Sequence, residues 1–213
     1  MLKIYGHPIS SRVNKVTMCA KALGIDYELE EIDIMNDENK TEAFLGISPA
    51  GKIPAIEDQG FAMFESNAIM KYLARKVNSP LYPTEARKQC TVDQWLDFVA
   101  QHIDLHIGSL LLNKVFFPKM GVEVDQMALK EKPGFIHRFL GVIDKQLDKN
   151  NYLAGDDLTI ADICLLSALQ PIELIEIDLA DYPNIANWHQ ELTKLDWYGA
   201  VHQTYQDTIK AAA

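Results

Sequence analysis

Cysteine is scarce in this chain of 213 residues, and Cys19, Cys90 and Cys164 are odd in number, widely separated and without a C-x-x-C pair. That argues against a disulfide framework or a cysteine zinc centre and fits buried free thiols in a reducing compartment. Basic residues are also few. Twenty Lys and Arg against 30 Asp and Glu give a formal net charge of -10, whereas a general binder of phosphate backbones needs a concentration of positive charge. Nucleic acid is therefore not an expected partner. No run of about 18 apolar residues occurs, and Met1-Leu2-Lys3-Ile4-Tyr5-Gly6 lacks the apolar segment of a leader. The expectation is a cytoplasmic protein that does not enter a membrane. What is present is ordinary: 48% hydrophobic and 23% charged residues, enough for sizeable cores in two modest domains.

Leu2-Lys3-Ile4-Tyr5 alternates and stops at Gly6-His7-Pro8, which predicts a short strand and its turn. Ser10 or Ser11 can cap the helix that follows, where Val13, Val16, Ala20 and Leu23 recur at helical spacing before Gly24. Residues 27–34 read as a second strand, and a helix between the two fits a parallel crossover. A polar loop over residues 36–40 and a short helix over 41–45 lead through Ser48-Pro49-Ala50-Gly51 into Lys52-Ile53-Pro54-Ala55-Ile56-Glu57-Asp58.

Pro54 stands in a strand-like run, where proline removes a ladder donor and needs a reason to be present. A cis Ile53-Pro54 bond would turn the Ile53 backbone outward to pair with an extended peptide, whose charged end Glu65-Ser66 would receive. Residues 53–57, an Asp58-Gln59-Gly60 turn and residues 61–64 predict an antiparallel hairpin, and Ser66 is placed to cap a helix ending near Asn78-Ser79-Pro80. The order βαβ, small helix, ββα is the thioredoxin-like arrangement, a mixed sheet with helices on both faces.

Beyond a linker at residues 78–85 the pattern is helical almost throughout, so the fold class is α/β plus all-α. A long helix is expected over residues 90–112, an interruption over 113–123 that contains Phe116-Phe117-Pro118, and a helix from about 124 to 147 broken or offset at Pro133-Gly134. Thr159 and Asp162 open the most apolar helix with capping-box spacing, Asp standing in for Glu or Gln. His102 and His106 lie four apart on a helix, but Ile103 occupies the Glu position of H-E-x-x-H and no third ligand is indicated, so no metal site is expected.

Three motifs stand in order and in register: Gly6-His7-Pro8-Ile9-Ser10, the run from Ser48 to Asp58, and Phe64-Glu65-Ser66-Asn67-Ala68-Ile69. With them the sequence resembles the cytosolic glutathione S-transferases, most closely the serine-using phi and theta classes. The Leu153-Ala154-Gly155 and Thr159-Ile160-Ala161-Asp162 pattern, similar to a motif of the family's helical domain, extends the resemblance over essentially the whole chain. It implies a thioredoxin-like glutathione-binding domain over residues 1–77 and a helical domain over 86–213 contributing a pocket for the electrophile. It also implies a homodimer and glutathione as co-substrate without a metal. Ala50 departs from it where phi members often carry an aromatic dimer key, and Asn14 where a basic residue is usual.

The chemistry of glutathione assigns partners to these residues. Ser66 and the N–H groups of its helix suit the γ-glutamyl carboxylate, a use compatible with capping, while Glu65 suits the neighbouring ammonium. Ile53, ahead of Pro54, offers backbone groups to the cysteinyl unit, and Asn39, Lys40 and Lys52 are candidates for the glycyl carboxylate. A free thiol titrates at about 8.5, so the thiolate must be favoured. Ser10 matches the family's catalytic position and would donate its hydroxyl hydrogen to the sulfur, with Ser11 as the rival and Tyr5 assigned to strand packing. Ser11, His106, Phe116 and Phe117 are the candidates for the electrophile pocket, ordinary core packing being the alternative for the two phenylalanines. The reaction implied is attack of the thiolate on small hydrophobic electrophiles or reduction of organic peroxides. Alternatives are a glutathione-dependent isomerase or dehalogenase, or a non-catalytic interaction protein of the same fold.

Overall fold

The computed structural model describes the backbone of residues 1–212 and the side chains of residues 1–210, so the last position of the expected helical domain, residue 213, lies outside the described residues. The chain forms two compact units. The first begins with β1 (Leu2–Gly6), α1 (Ser11–Ala22) and β2 (Tyr27–Glu31), continues through α2 (Glu42–Ile47), and closes with β3 (Ala55–Asp58), β4 (Phe61–Phe64) and α3 (Ser66–Lys76). The sheet has the order β2-β1-β3-β4. β1 pairs in parallel with β2, from Leu2↔Tyr27 to Gly6↔Glu31, and antiparallel with β3, from Leu2↔Asp58 to Tyr5↔Ala55.

Strand alternation sorts the side chains of β1 onto the two faces. Leu2 and Ile4 join Ile56 and meet Val16 and Ala20 of α1 and Ile69 and Leu73 of α3. Tyr5 points the other way, with Ala55, Ile32 and Phe44 of α2. Burial of each such aliphatic side chain stabilises the fold by about 1.5–3 kcal/mol. β2 ends at Glu31, three residues before the expected limit, because the Asp33 carboxylate accepts from the N–H groups of Met35 and Asn36 and curls the chain into a 3-10 turn.

The second unit, Pro83–Thr193, is helical. α4 (Ala86–Phe98), α5 (Leu105–Leu111) and α6 (Phe117–Met120) run on through π-helical turns at Val99–Asp104 and Leu112–Phe116. The break expected from residue 113 is therefore a correction: the chain stays helical to Met120 and ends at Gly121, whose φ of 65° is left-handed. Asn113 bridges this end, donating to Ser109 O at 2.9 Å and accepting from Asp125 N at 2.8 Å. α7 (Gln126–Leu147) likewise continues unbroken through Pro133-Gly134. The hydrogen bond lost at Pro133 is outweighed by burial of Ala128, Ile136, Leu140 and Ile143 on the packed face. α8 (Ile160–Ala168) is buried on every side, and α9 (Pro183–Leu192) completes the unit.

α10 (Asp196–Ala212) clusters with the first unit, where it packs on α1. The division differs in this respect from the boundaries read along the sequence, which assigned everything beyond residue 86 to the helical domain. Cys90 is exposed on α4, opposite the buried Val92, Trp95 and Leu96, and corrects the expectation that all three thiols are buried.

Candidate active site

Val13 comes so close to the end of β1 that a Cβ on Gly6 would lie 2.5 Å from its Cγ2. Glycine thus lets α1 start directly beyond the strand. The intervening loop is tied down: Asn14, itself buried, donates to Pro8 O at 2.9 Å, and Ser10 N donates to His7 O at 3.0 Å. Between the two candidate serines the geometry differs. Ser10 is the N-cap of α1, and Ser11 is its first helical residue. Ser10 Oγ accepts a long bond from Val13 N at 3.5 Å and donates to no described residue. The first turn of α1 carries no acidic side chain, so the partial positive charge of its N–H groups is not neutralised from within. Tyr5, the alternative donor, is buried edge-on against Phe44 with ring centroids 6.5 Å apart, and burial raises its phenol above the ordinary value. Cys19 is fully buried on α1, which pushes its thiol up and leaves it a packing residue.

The segment before β3 is held from two sides. Ser48 Oγ donates to Lys52 O at 2.9 Å, and Asn39 Nδ2 donates to Gly51 O at 2.8 Å. Gly51 has φ 58°, and a Cβ there would approach Asn39 O to 3.1 Å, so the close passage requires glycine. The loop leads into a cis Ile53-Pro54 bond. Pro54 is buried and β3 begins only at Ala55, so the backbone of Ile53 stays outside the strand ladder. Asn39 Oδ1 is buried without a hydrogen-bond partner, an uncommitted acceptor beside this loop. Lys52 is exposed, and Lys40 forms a solvent-facing ion pair with Asp37 at 2.8 Å.

Glu65 joins β4 to α3 with φ 70° and ψ 104°, a left-handed backbone that a non-glycine residue adopts at some cost. It occupies the cap position without a side-chain capping bond, which corrects the expectation that Ser66 caps this helix: Ser66 is the first helical residue. The first turn of α3 also lacks an acidic side chain. Asn67, next in the chain, accepts a hydrogen bond from Lys15 Nζ at 2.8 Å.

In the helical unit, His102 stacks on Phe139 at 4.5 Å between centroids, and His106 on Phe135 at 5.0 Å. Burial, followed by Lys132 and His102, lowers the His106 pKa, and its Nδ1 is buried without a partner. Phe116 and Phe117 are half-buried at the junction of the second π-helical turn and α6. No group of three or more His, Cys, Asp or Glu side chains suited to a metal occurs among the described residues. An open depression of about 410 Å³ lies elsewhere in this unit, lined by Asn150, Tyr152, Asn184 and Trp188 among others, and none of the candidate residues borders it. Sequence reading missed the tie made by Asn14, the Lys15–Asn67 bond and the left-handed Glu65. The signal for the first two was a pair of polar residues inside an otherwise apolar helix pattern.

Residues 1–75 match the model of the glutathione S-transferase N-terminal domain, and residues 102–196 that of the glutathione S-transferase C-terminal domain. Glutathione S-transferase F10 of Arabidopsis thaliana is 38% identical over 160 residues, 74% of each chain. The chain belongs to the glutathione S-transferase family. As a member of it, the protein is an enzyme with glutathione as co-substrate. Glutathione S-transferase D7 of Drosophila melanogaster is 31% identical over 201 residues, covering 91% of this chain and 85% of the relative. Among solved structures, glutathione S-transferase I from maize in complex with an atrazine glutathione conjugate has a TM-score of 0.87 at 28% identity, with 96% of this chain and 98% of that one covered. Glutathione transferase F2 of Populus trichocarpa superposes with a TM-score of 0.88 at 25% identity over 97% of this chain and all of the other. The thioredoxin-like sheet and the helical second domain are thus those of a glutathione S-transferase, and no helix among the described residues is long and apolar enough to cross a membrane.

Proposed function

We propose that Ser10 is the catalytic residue and that it acts as a hydrogen-bond donor to the glutathione sulfur. The observation that carries this reading is the state of its cap: one long accepted bond, an uncommitted hydroxyl hydrogen and an acid-free first turn behind it. A serine hydroxyl is too weak an acid to be an anion here. It stabilises the thiolate by donation, together with the helix dipole, and so lowers the thiol pKa toward neutral pH.

The γ-glutamyl carboxylate is assigned to Ser66 and the N–H groups of α3, its ammonium to Glu65, and the cysteinyl backbone to Ile53 ahead of Pro54. Asn39, Lys40 and Lys52 take the glycyl end; the uncommitted Asn39 Oδ1 supports this side of the assignment, and the engagement of Lys40 with Asp37 makes it the weakest member. The electrophile pocket is assigned to Ser11, His106, Phe116 and Phe117. The substrate class is a small hydrophobic electrophile, in keeping with the aromatic conjugate held by the maize enzyme, and organic peroxides are a second class for the same thiolate. The proposed setting is a cytoplasmic homodimer.

Kinetics with glutathione and a chlorodinitrobenzene-type electrophile, repeated with an organic peroxide, test this. Ser10→Ala is expected to lower kcat about 100-fold and to raise the apparent pKa of bound glutathione by about one to two pH units, with little change in KM for glutathione. A Ser10→Ala enzyme at full rate beside an inactive Ser11→Ala enzyme transfers the role to Ser11. An intact enzyme that binds glutathione but turns over neither electrophile class moves the assignment to the isomerase or dehalogenase reaction of the same thiolate.

A further inference from the structure

The open depression of about 410 Å³ in the helical unit has walls rich in side-chain amides. One wall is a single face of α9, where Asn184, Asn187, Trp188 and Glu191 recur three and four apart. The other is the end of α7 with the loop behind it, where hydrogen bonds of 2.8 and 3.2 Å with Gly155 pin the backbone of Tyr152.

Two of the amides are fixed acceptors. Asn184 Nδ2 donates to Asp144 Oδ2 at 3.0 Å and Asn150 Nδ2 to Gln146 O at 2.9 Å, so each is anchored by its nitrogen and keeps its carbonyl oxygen uncommitted. The side chains of Asn151 and Asn187 and the Tyr152 hydroxyl make no hydrogen bond among the described residues and can donate as well as accept. Trp188 Nε1 is spent on Asp162 at 3.2 Å, which leaves the depression only the carbon surface of the indole. Glu191 is the one charged lining residue, and no Lys or Arg borders the depression, so an anion finds no partner there.

From this composition we infer that the depression binds a neutral pyranose ring, apart from the site of glutathione chemistry. A sugar hydroxyl both donates and accepts, which suits anchored carbonyl oxygens beside free amides, and the C–H face of the ring suits an aromatic and aliphatic wall. A cation would find a single exposed carboxylate, a pairing worth little at an open surface. None of the residues assigned to glutathione or to the electrophile lines the depression, so the transferase reaction does not depend on its occupancy.

Saturation-transfer NMR titrations of the intact enzyme with methyl β-D-glucopyranoside, with cellobiose and with spermidine as the cationic control test this. The glycoside is expected to bind with a Kd of about 1 mM, an ordinary affinity for a ligand of its size. Asn187→Ala and Tyr152→Ala, which truncate side chains without internal hydrogen bonds, should each weaken it about tenfold. Glu191→Gln should change it less than about twofold, and all three variants keep the transferase kcat of the unaltered enzyme. Tighter binding of cellobiose than of the single ring assigns the site to the end of a glycan, and equal binding to a lone sugar; either supports the inference. Three results overturn it: no saturable binding of either glycoside, full binding in both Asn187→Ala and Tyr152→Ala, or binding of spermidine alone that Glu191→Gln abolishes.

Discussion

α1 begins behind Ser10 and α8 behind Thr159, and each cap is a hydroxyl, yet the two helix starts are finished differently. At α8 the chain supplies its own anion. Asp162 accepts from Thr159 N at 2.9 Å and Thr159 Oγ1 at 3.1 Å, and on its other oxygen from Leu153 N at 2.8 Å and Trp188 Nε1 at 3.2 Å. Burial pushes the Asp162 carboxyl up, and these four donors oppose the push. At α1 no acid enters the first turn and the cap oxygen holds a single long bond. One device is closed on itself to stabilise a core, and the other is left open. The open ends, α1 and α3, are those that the proposed reaction fills with a thiolate and a carboxylate.

The largest effect is expected where the closed end is broken. Asp162→Ala strands four donors in the core and should cost about 3–5 kcal/mol of stability, read from the midpoint of urea unfolding. A loss under about 1 kcal/mol, no more than an ordinary cap is worth, would remove the contrast with α1. The reciprocal change gives the open end an anion of its own. Ser10→Asp is expected to hold stability within about 1 kcal/mol, since Asp caps as well as Ser. Turnover should fall about 100-fold or more, because a carboxylate repels the thiolate that the site must favour. An active Ser10→Asp enzyme of normal Tm would dissolve the distinction. Ser66→Ala tests the second open end more gently: KM for glutathione should rise about tenfold with kcat nearly constant, the loss of one hydrogen bond to a charged group.

The far end of α3 is closed again and sharpens the comparison through pH. Asp58 accepts from Lys76 and, at 2.7 Å, from the Tyr72 hydroxyl, which together hold its carboxyl below the usual range. A depressed carboxyl contributes stability that is present above its unfolded value, about 4, and is lost as pH falls through the lower folded value. Asp58→Asn should therefore flatten the acid limb of Tm against pH below about pH 4 and leave the shape of the profile near neutrality unchanged.

Much of the first unit was legible because its elements are short and bounded by glycine, proline and serine. Gly6, Pro54 and the Gly51 turn each mark a place where the backbone has few choices. The two misread helix boundaries share a cause. Asn113 and Pro133 are helix-breaking by local preference, but Asn113 is bonded on both sides, and the buried face of α7 outweighs the proline. Tertiary context decided both, and no local pattern carries it. The candidate site residues at element ends, Ser10, Ile53 and Ser66, stand out in the sequence for the same reason. Lys15 and Asn67 are 52 positions apart, and only the packing of α1 on α3 brings them together.

The return of α10 to α1 bears on how the molecule is made. Residues 13–20 of α1 are buried throughout, and α10, which covers part of that helix, lies at the other end of the chain. During synthesis the first unit leaves the ribosome first but lacks its last helix until residues beyond 194 have emerged, whereas the second unit is contiguous and can finish earlier. The unit that carries the thioredoxin-like sheet is thus begun first and completed last, and a nascent chain stalled before α10 exposes the side of α1 that this helix covers.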